Sequence, residues 1–98
     1  MADTFTASNI SRNFGDGLVA LIVDDSEIDQ YRVQRMLLDA GFTVEVASSA
    51  EDAIALASNC QPDLVCCDVR LPGADGYALC SAVRARYPDA YIPFLFIT

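Results

Sequence analysis

The sequence predicts an α/β domain built on an open, doubly wound parallel sheet with helices on both faces. Three observations predict it. The apolar runs at residues 18–23 and 64–67 lack polar alternation, which marks short strands buried on both faces. Each run ends in aspartate, Asp24 and Asp25 after the first and Asp68 after the second. In parallel α/β sheets, chemistry gathers at the carboxyl ends of the strands. Segments with helical spacing alternate with further strand-like runs, giving β-α-β-α-β-α-β with right-handed crossovers.

Each element has its own local signal. Residues 1–17 are polar with scattered Phe5, Ile10 and Phe14, and read as an N-terminal arm or a weak extra helix. The first strand spans 18–24. Ser26 caps the helix that follows, with Asp29 three residues on. Val33, Met36, Leu37 and Ala40 form its apolar stripe, and Gly41 stops it. The second strand spans 43–47. Ser49 caps the second helix, with Asp52 in the matching position; Ala53, Leu56, Ala57 and Cys60 form its buried stripe, and Pro62 breaks it. The third strand spans 64–68 and runs into a loop over 69–75. The third helix starts near Gly76, buries Leu79, Cys80 and Val83, and ends before Pro88. The fourth strand spans 92–98.

For the three aspartates to meet, the first strand must be central, which gives the order 2-1-3-4. The winding reverses after the second strand, so the first helix covers one face and the other two cover the opposite one. The pocket falls at the switch point between strands one and three. Three carboxylates there repel one another unless a cation is bound. A hard cation such as Mg²⁺ takes oxygen ligands of this kind.

Composition excludes several function classes. Fourteen acidic against six basic residues leave a net charge of −8, which argues against binding nucleic acid or an anionic membrane through this segment. All six basic residues are arginine. The longest apolar run near the N-terminus has six residues, too few for a signal peptide or a membrane span. With no histidine and no CxxC pair, Cys60, Cys66, Cys67 and Cys80 read as core thiols and not as a zinc site. The cytoplasm is the expected compartment.

The joint pattern resembles the receiver domain of two-component response regulators, a flavodoxin-like fold. Its carriers are Asp24-Asp25 after an apolar strand, Asp68 on a later one, then Leu71-Pro72, Asp75-Gly76 and the closing Phe94-Leu95-Phe96-Ile97-Thr98. The resemblance covers residues 18–98. It implies that Asp68 is the phosphoacceptor and that Mg²⁺ is held by Asp24, Asp25, Asp68 and the backbone carbonyl of Arg70. It makes Thr98 the switch hydroxyl. It also implies a sensor histidine kinase or phosphotransfer protein as donor, and an output domain in a longer chain. The chemistry suits these roles, since a carboxylate nucleophile attacks phosphorus in line while a metal offsets the charge on the moving oxygens.

The pattern departs from the resemblance at its end. Receivers have a fifth strand ending in lysine and two further helices; this sequence stops in strand four and contains no lysine. It therefore reads as a fragment or a truncated product. The expected consequences are a bare sheet face, an unpaired strand-four edge, and self-association through one of them. Three function classes follow: a phosphoryl-accepting signalling domain, a non-switching interaction module on the same fold, and a phosphatase of the haloacid-dehalogenase type. The last wants an aspartate two residues after the nucleophile, where Arg70 stands. A flavodoxin-like cofactor carrier would need a phosphate-cradling loop where Asp24 and Asp25 stand. The expected assignment is a signalling domain and not an enzyme.

Overall fold

The computed structural model describes residues 17–71 and 76–97. The arm up to residue 16, Pro72, Gly73 and Asp75 of the loop, and Thr98 lie outside the described residues. Four strands, β1 (Val19–Val23), β2 (Thr43–Ala47), β3 (Leu64–Asp68) and β4 (Phe94–Ile97), alternate with α1 (Glu27–Asp39), α2 (Ala50–Asn59) and α3 (Gly76–Arg86). All strand pairs are parallel, in the order β2-β1-β3-β4. The expected topology is the observed one. The ladder outlasts β1 by a residue at each end, with Thr43 N–H donating to the Leu18 carbonyl at 2.8 Å and Asp24 N–H to that of Ala47 at 3.1 Å.

Strand alternation divides the core. Leu21, Val23, Val65 and Cys67 face α2 and α3, where they pack with Ala53, Ala57, Leu79, Val83 and Ile92. Leu79 and Val83 are almost wholly buried, each contributing about 1.5–3 kcal/mol of transfer free energy. Ala20 and Ile22 point to the opposite side, and α1 packs on β1 and β2. Tyr87 O–H, beyond α3, donates to the Ala57 carbonyl of α2 and ties the two helices together.

The helix ends follow the residues that mark them. Ser26 Oγ accepts from Asp29 N–H at 3.4 Å and Ser49 Oγ from Asp52 N–H at 3.1 Å, which satisfies an orphan donor of α1 and of α2. Gly41 takes φ +96° just past α1. There Gly41 N–H bonds the Leu38 carbonyl and Phe42 N–H that of Leu37, both at 3.0 Å, the paired closure that a left-handed glycine permits.

Expectations about burial and strand length need correction. Met36 is 64% exposed and α1 has no fully buried residue; Val33, Leu37 and Ala40 are half-buried. Met36 sits on the flank of that stripe, away from β1 and β2. Cys60 is exposed, because α2 ends at Asn59 and the chain there turns extended (φ −144°, ψ 119°) toward buried Pro62. Leu56 and Cys80 are half-buried. β4 begins at Phe94, later than expected, and among the described residues it is paired on one side only, leaving Leu95 53% and Phe96 49% exposed.

Candidate functional site

β1 and β3 lie side by side, with Ile22 opposite Cys66 and Val23 opposite Cys67. Their last residues therefore emerge together at the carboxyl edge of the sheet. Asp24, Asp25 and Asp68 each offer a carboxylate oxygen, and the three oxygens lie within 4.8 Å of one another. The expected convergence is observed. Asp24 and Asp68 are 4% and 3% exposed, and Asp25 faces solvent.

Each buried carboxylate is oriented by backbone. Asp24 Oδ1 accepts from Ser26 N–H at 2.9 Å, turning the chain from β1 into α1. Asp68 Oδ1 accepts from Arg70 N–H at 2.9 Å, and Arg70 Nε stands 3.5 Å from the same oxygen. No described residue bonds Asp68 Oδ2. Gln30 fastens α1 to the strand tips, its Nε2 donating to the Asp24 carbonyl and to Ser48 Oγ.

The electrostatics follow from burial. Burial raises the Asp24 carboxyl above its ordinary pKa, and the charges of Asp68, Asp29 and Asp25 push the same way against the lowering hydrogen bond from Ser26. Beneath the site, burial and then the charges of Asp68 and Asp24 push the Cys67 thiol up to about 11. That thiol is a packing group, as expected of a core cysteine.

The donor set suits a hard divalent cation. In an octahedral shell with oxygens at about 2.1 Å, opposed ligands stand about 4.2 Å apart. The observed spread is within a small side-chain adjustment of that. Among the sequence-predicted site residues, the structure brings Asp24, Asp25 and Asp68 together, with Arg70 two residues after Asp68 and its N–H bonded to that carboxylate; Thr98 lies outside the described residues.

Other residues of the site were not singled out from the sequence. A cavity of about 100 Å³ opens beside Asp24 and is lined by Asp29, Arg32, Val33, Arg70 and Ile97 as well. Val33 was legible as part of an apolar stripe, and Asp29 and Arg32 stand four and one residues before it on the same side of α1. That spacing is the signal that could have found them. Gln30 had no comparable signal.

Comparison with known proteins places the chain. The response regulator receiver domain family matches residues 20–98, and the chain belongs to that family. It is 36% identical over 89 residues to the transcriptional regulatory protein TrcR of Mycobacterium tuberculosis, covering 91% of this chain and 34% of that protein. It is 32% identical over 82 residues to the DNA-binding transcriptional regulator NtrC of Salmonella typhimurium, covering 84% of this chain and 17% of that one. The chain thus spans about a third or less of the length of these two relatives. Among solved structures, the chemotaxis response regulator CheY4 of Vibrio cholerae superposes with a TM-score of 0.70 at 33% identity, over 79% of this chain and 66% of that one. The fold is that of a receiver, a signalling module of two-component systems. No helix among the described residues is long and apolar enough to cross a membrane.

Proposed function

We propose that this chain is a phosphoryl-accepting receiver in which Asp68 takes a phosphoryl group from the phosphohistidine of a sensor histidine kinase or phosphotransfer protein. The observation that carries this reading is the meeting of three carboxylates at the switch point, two of them buried, with one oxygen of Asp68 left unbonded by the described residues. A lone pair on that oxygen forms the new bond to phosphorus. The P–N bond to the donor breaks, and the imidazole leaves with the bonding pair. Asp24, Asp25, Asp68 and the Arg70 carbonyl are the proposed Mg²⁺ ligands. Bound Mg²⁺ supplies the positive charge that offsets the oxygens of donor and acceptor. The family pattern supports Thr98 as the hydroxyl that turns toward the transferred group.

The protein's part is positional. The β1 and β3 tips hold the carboxylates, and the backbone N–H groups of Ser26 and Arg70 fix one oxygen each of Asp24 and Asp68. We place the module in the cytoplasm, coupled to an output domain within a longer protein. Exposed Leu95 and Phe96 support β4 as a contact surface for further elements or for another copy.

Labelling with radioactive acetyl phosphate tests the reading. Label should enter with Mg²⁺, fail to enter with a chelator, and be lost in Asp68→Asn. A folded protein that takes no label would instead be a non-switching interaction module.

A further inference from the structure

We propose that Gln30 is a positioning residue for the cation site: by holding the Asp24 carbonyl it fixes the peptide plane from which Asp25 presents its carboxylate. The proposal rests on the Mg²⁺ part of the reading above and adds a residue that touches neither ion nor phosphodonor. Asp25 is the exposed member of the three carboxylates. Among the described residues its carboxylate has no hydrogen-bond or ion-pair partner. Asp24 and Asp68 are each oriented by a backbone N–H on one oxygen, and Asp25 has nothing of that kind. What the fold can set for Asp25 is therefore the backbone from which its side chain starts.

That backbone is held from the Asp24 side. Asp24 N–H donates to the Ala47 carbonyl at 3.1 Å, Asp24 Oδ1 accepts from Ser26 N–H at 2.9 Å, and the Asp24 carbonyl accepts from Gln30 Nε2. The third bond differs from the first two in what it controls. A peptide group is planar, so the Asp24 carbonyl, the Asp25 N–H and the Asp25 Cα move as one body. Tying that oxygen stops the plane from rocking and so sets where Asp25 begins. Gln30 can do this because it is itself anchored. Its Nε2 carries two protons: one goes to the Asp24 carbonyl, and the other to Ser48 Oγ at 3.2 Å, just past β2. Its backbone N–H donates to the Ser26 carbonyl at 2.9 Å in the first turn of α1. One amide nitrogen thus joins α1, the end of β1 and the end of β2 at the edge of the carboxylate cluster.

The competing role is a plain tie between α1 and the sheet. Tyr87 O–H on the Ala57 carbonyl is such a tie, made between α2 and the segment after α3. A tie contributes to stability and leaves the folded site unchanged. A positioning residue alters the folded site itself, because Mg²⁺ demands near-ideal octahedral geometry with oxygens at about 2.1 Å. Removing a group that orients a metal ligand costs about 10–100-fold in affinity. The low end applies here, since Asp24 and Asp68 keep their own backbone bonds.

The experiment titrates Mn²⁺, a hard cation with the same taste for oxygen, into the full chain and reads the free ion by electron paramagnetic resonance. The proteins are the parent, Gln30→Met, Gln30→Ala, Ser48→Ala, Ser48→Thr and Tyr87→Phe, each held below its melting temperature. The expected result is a dissociation constant raised about tenfold in both Gln30 variants, of which Gln30→Met keeps most of the side-chain volume without the donor. Ser48→Ala frees one end of the fork and should cost about threefold, the scale of one modest hydrogen bond, with Ser48→Thr restoring the parent value. Tyr87→Phe should lower the melting temperature and leave the dissociation constant unchanged. Parent-like affinity in folded Gln30→Met and Gln30→Ala would overturn the positioning role and leave the cation site intact, and so would an equal loss in Tyr87→Phe. Where the Gln30 variants melt too low to titrate, exposed Ser48 decides, and parent-like affinity in Ser48→Ala would then overturn the role. A folded parent that binds no Mn²⁺ would overturn the cation site and this proposal together.

Discussion

Replacing Asp24 with asparagine should stabilise the metal-free protein near neutral pH. Asp24 is 4% exposed, with a carboxylate oxygen within 4.8 Å of those of Asp25 and Asp68. Unit charges 4.8 Å apart repel by about 3.5 kcal/mol at an effective dielectric constant of about 20. Arg70, 3.5 Å from Asp68, cancels part of that, and water around exposed Asp25 screens that neighbour. A net gain of about 1–2 kcal/mol remains, since asparagine keeps an acceptor for the Ser26 N–H. In a domain of this size that raises the melting temperature by about 5 °C or more. The pH dependence follows from the raised Asp24 pKa. The folded state holds this proton more tightly than the unfolded chain, so the group favours folding below its ordinary value of 3.8. That advantage is lost as pH rises through the raised folded value. The gap between variant and parent should therefore open as pH climbs above 3.8 and widen as it rises through the raised folded value. Thermal melts in chelator across that range read it directly. A variant that melts at or below the parent at neutral pH, or a gap equally wide in acid, would refute the electrostatic account of this site.

Mg²⁺ at a hundred times its dissociation constant should stabilise the parent by about 2.7 kcal/mol, and Asp25→Ala should abolish the effect; melts with and without the ion measure both. Native-state alkylation followed by mass spectrometry should modify exposed Cys60 and spare buried Cys66 and Cys67, whose thiols burial holds protonated, until the chain is unfolded. These 98 residues alone should associate at micromolar concentration through β4, with its half-exposed Leu95 and Phe96; sedimentation decides it, and a single monomeric species with a cooperative melt would contradict the expectation.

Much of the fold was legible because its signals are local. Ser26, Ser49 and Gly41 act within one turn of chain, so residue type alone announces the helix ends. The two unbroken apolar runs closing in aspartate announced the central strands, and their adjacency then required the three carboxylates to meet. Side-chain exposure was less legible, because it depends on what lies opposite. Met36 carries helical spacing but faces solvent, and Cys60 fell off the α2 stripe when the helix ended one residue earlier. Gln30 was missed, and the spacing of Asp29, Arg32 and Val33 went unread as part of the site, for a related reason. Periodicity shows which residues share a face of α1, and it does not show which end of that face meets the strand tips.

The central claim is that Asp68 is the residue that accepts the phosphoryl group. Borohydride reduction after treatment with acetyl phosphate and Mg²⁺ converts a phosphorylated aspartate to homoserine, which peptide mass mapping then locates. The account predicts homoserine at position 68, none when Mg²⁺ is withheld, and Asp24 and Asp25 unmodified throughout. Homoserine at position 24 or 25, or label that persists in Asp68→Asn, would contradict it.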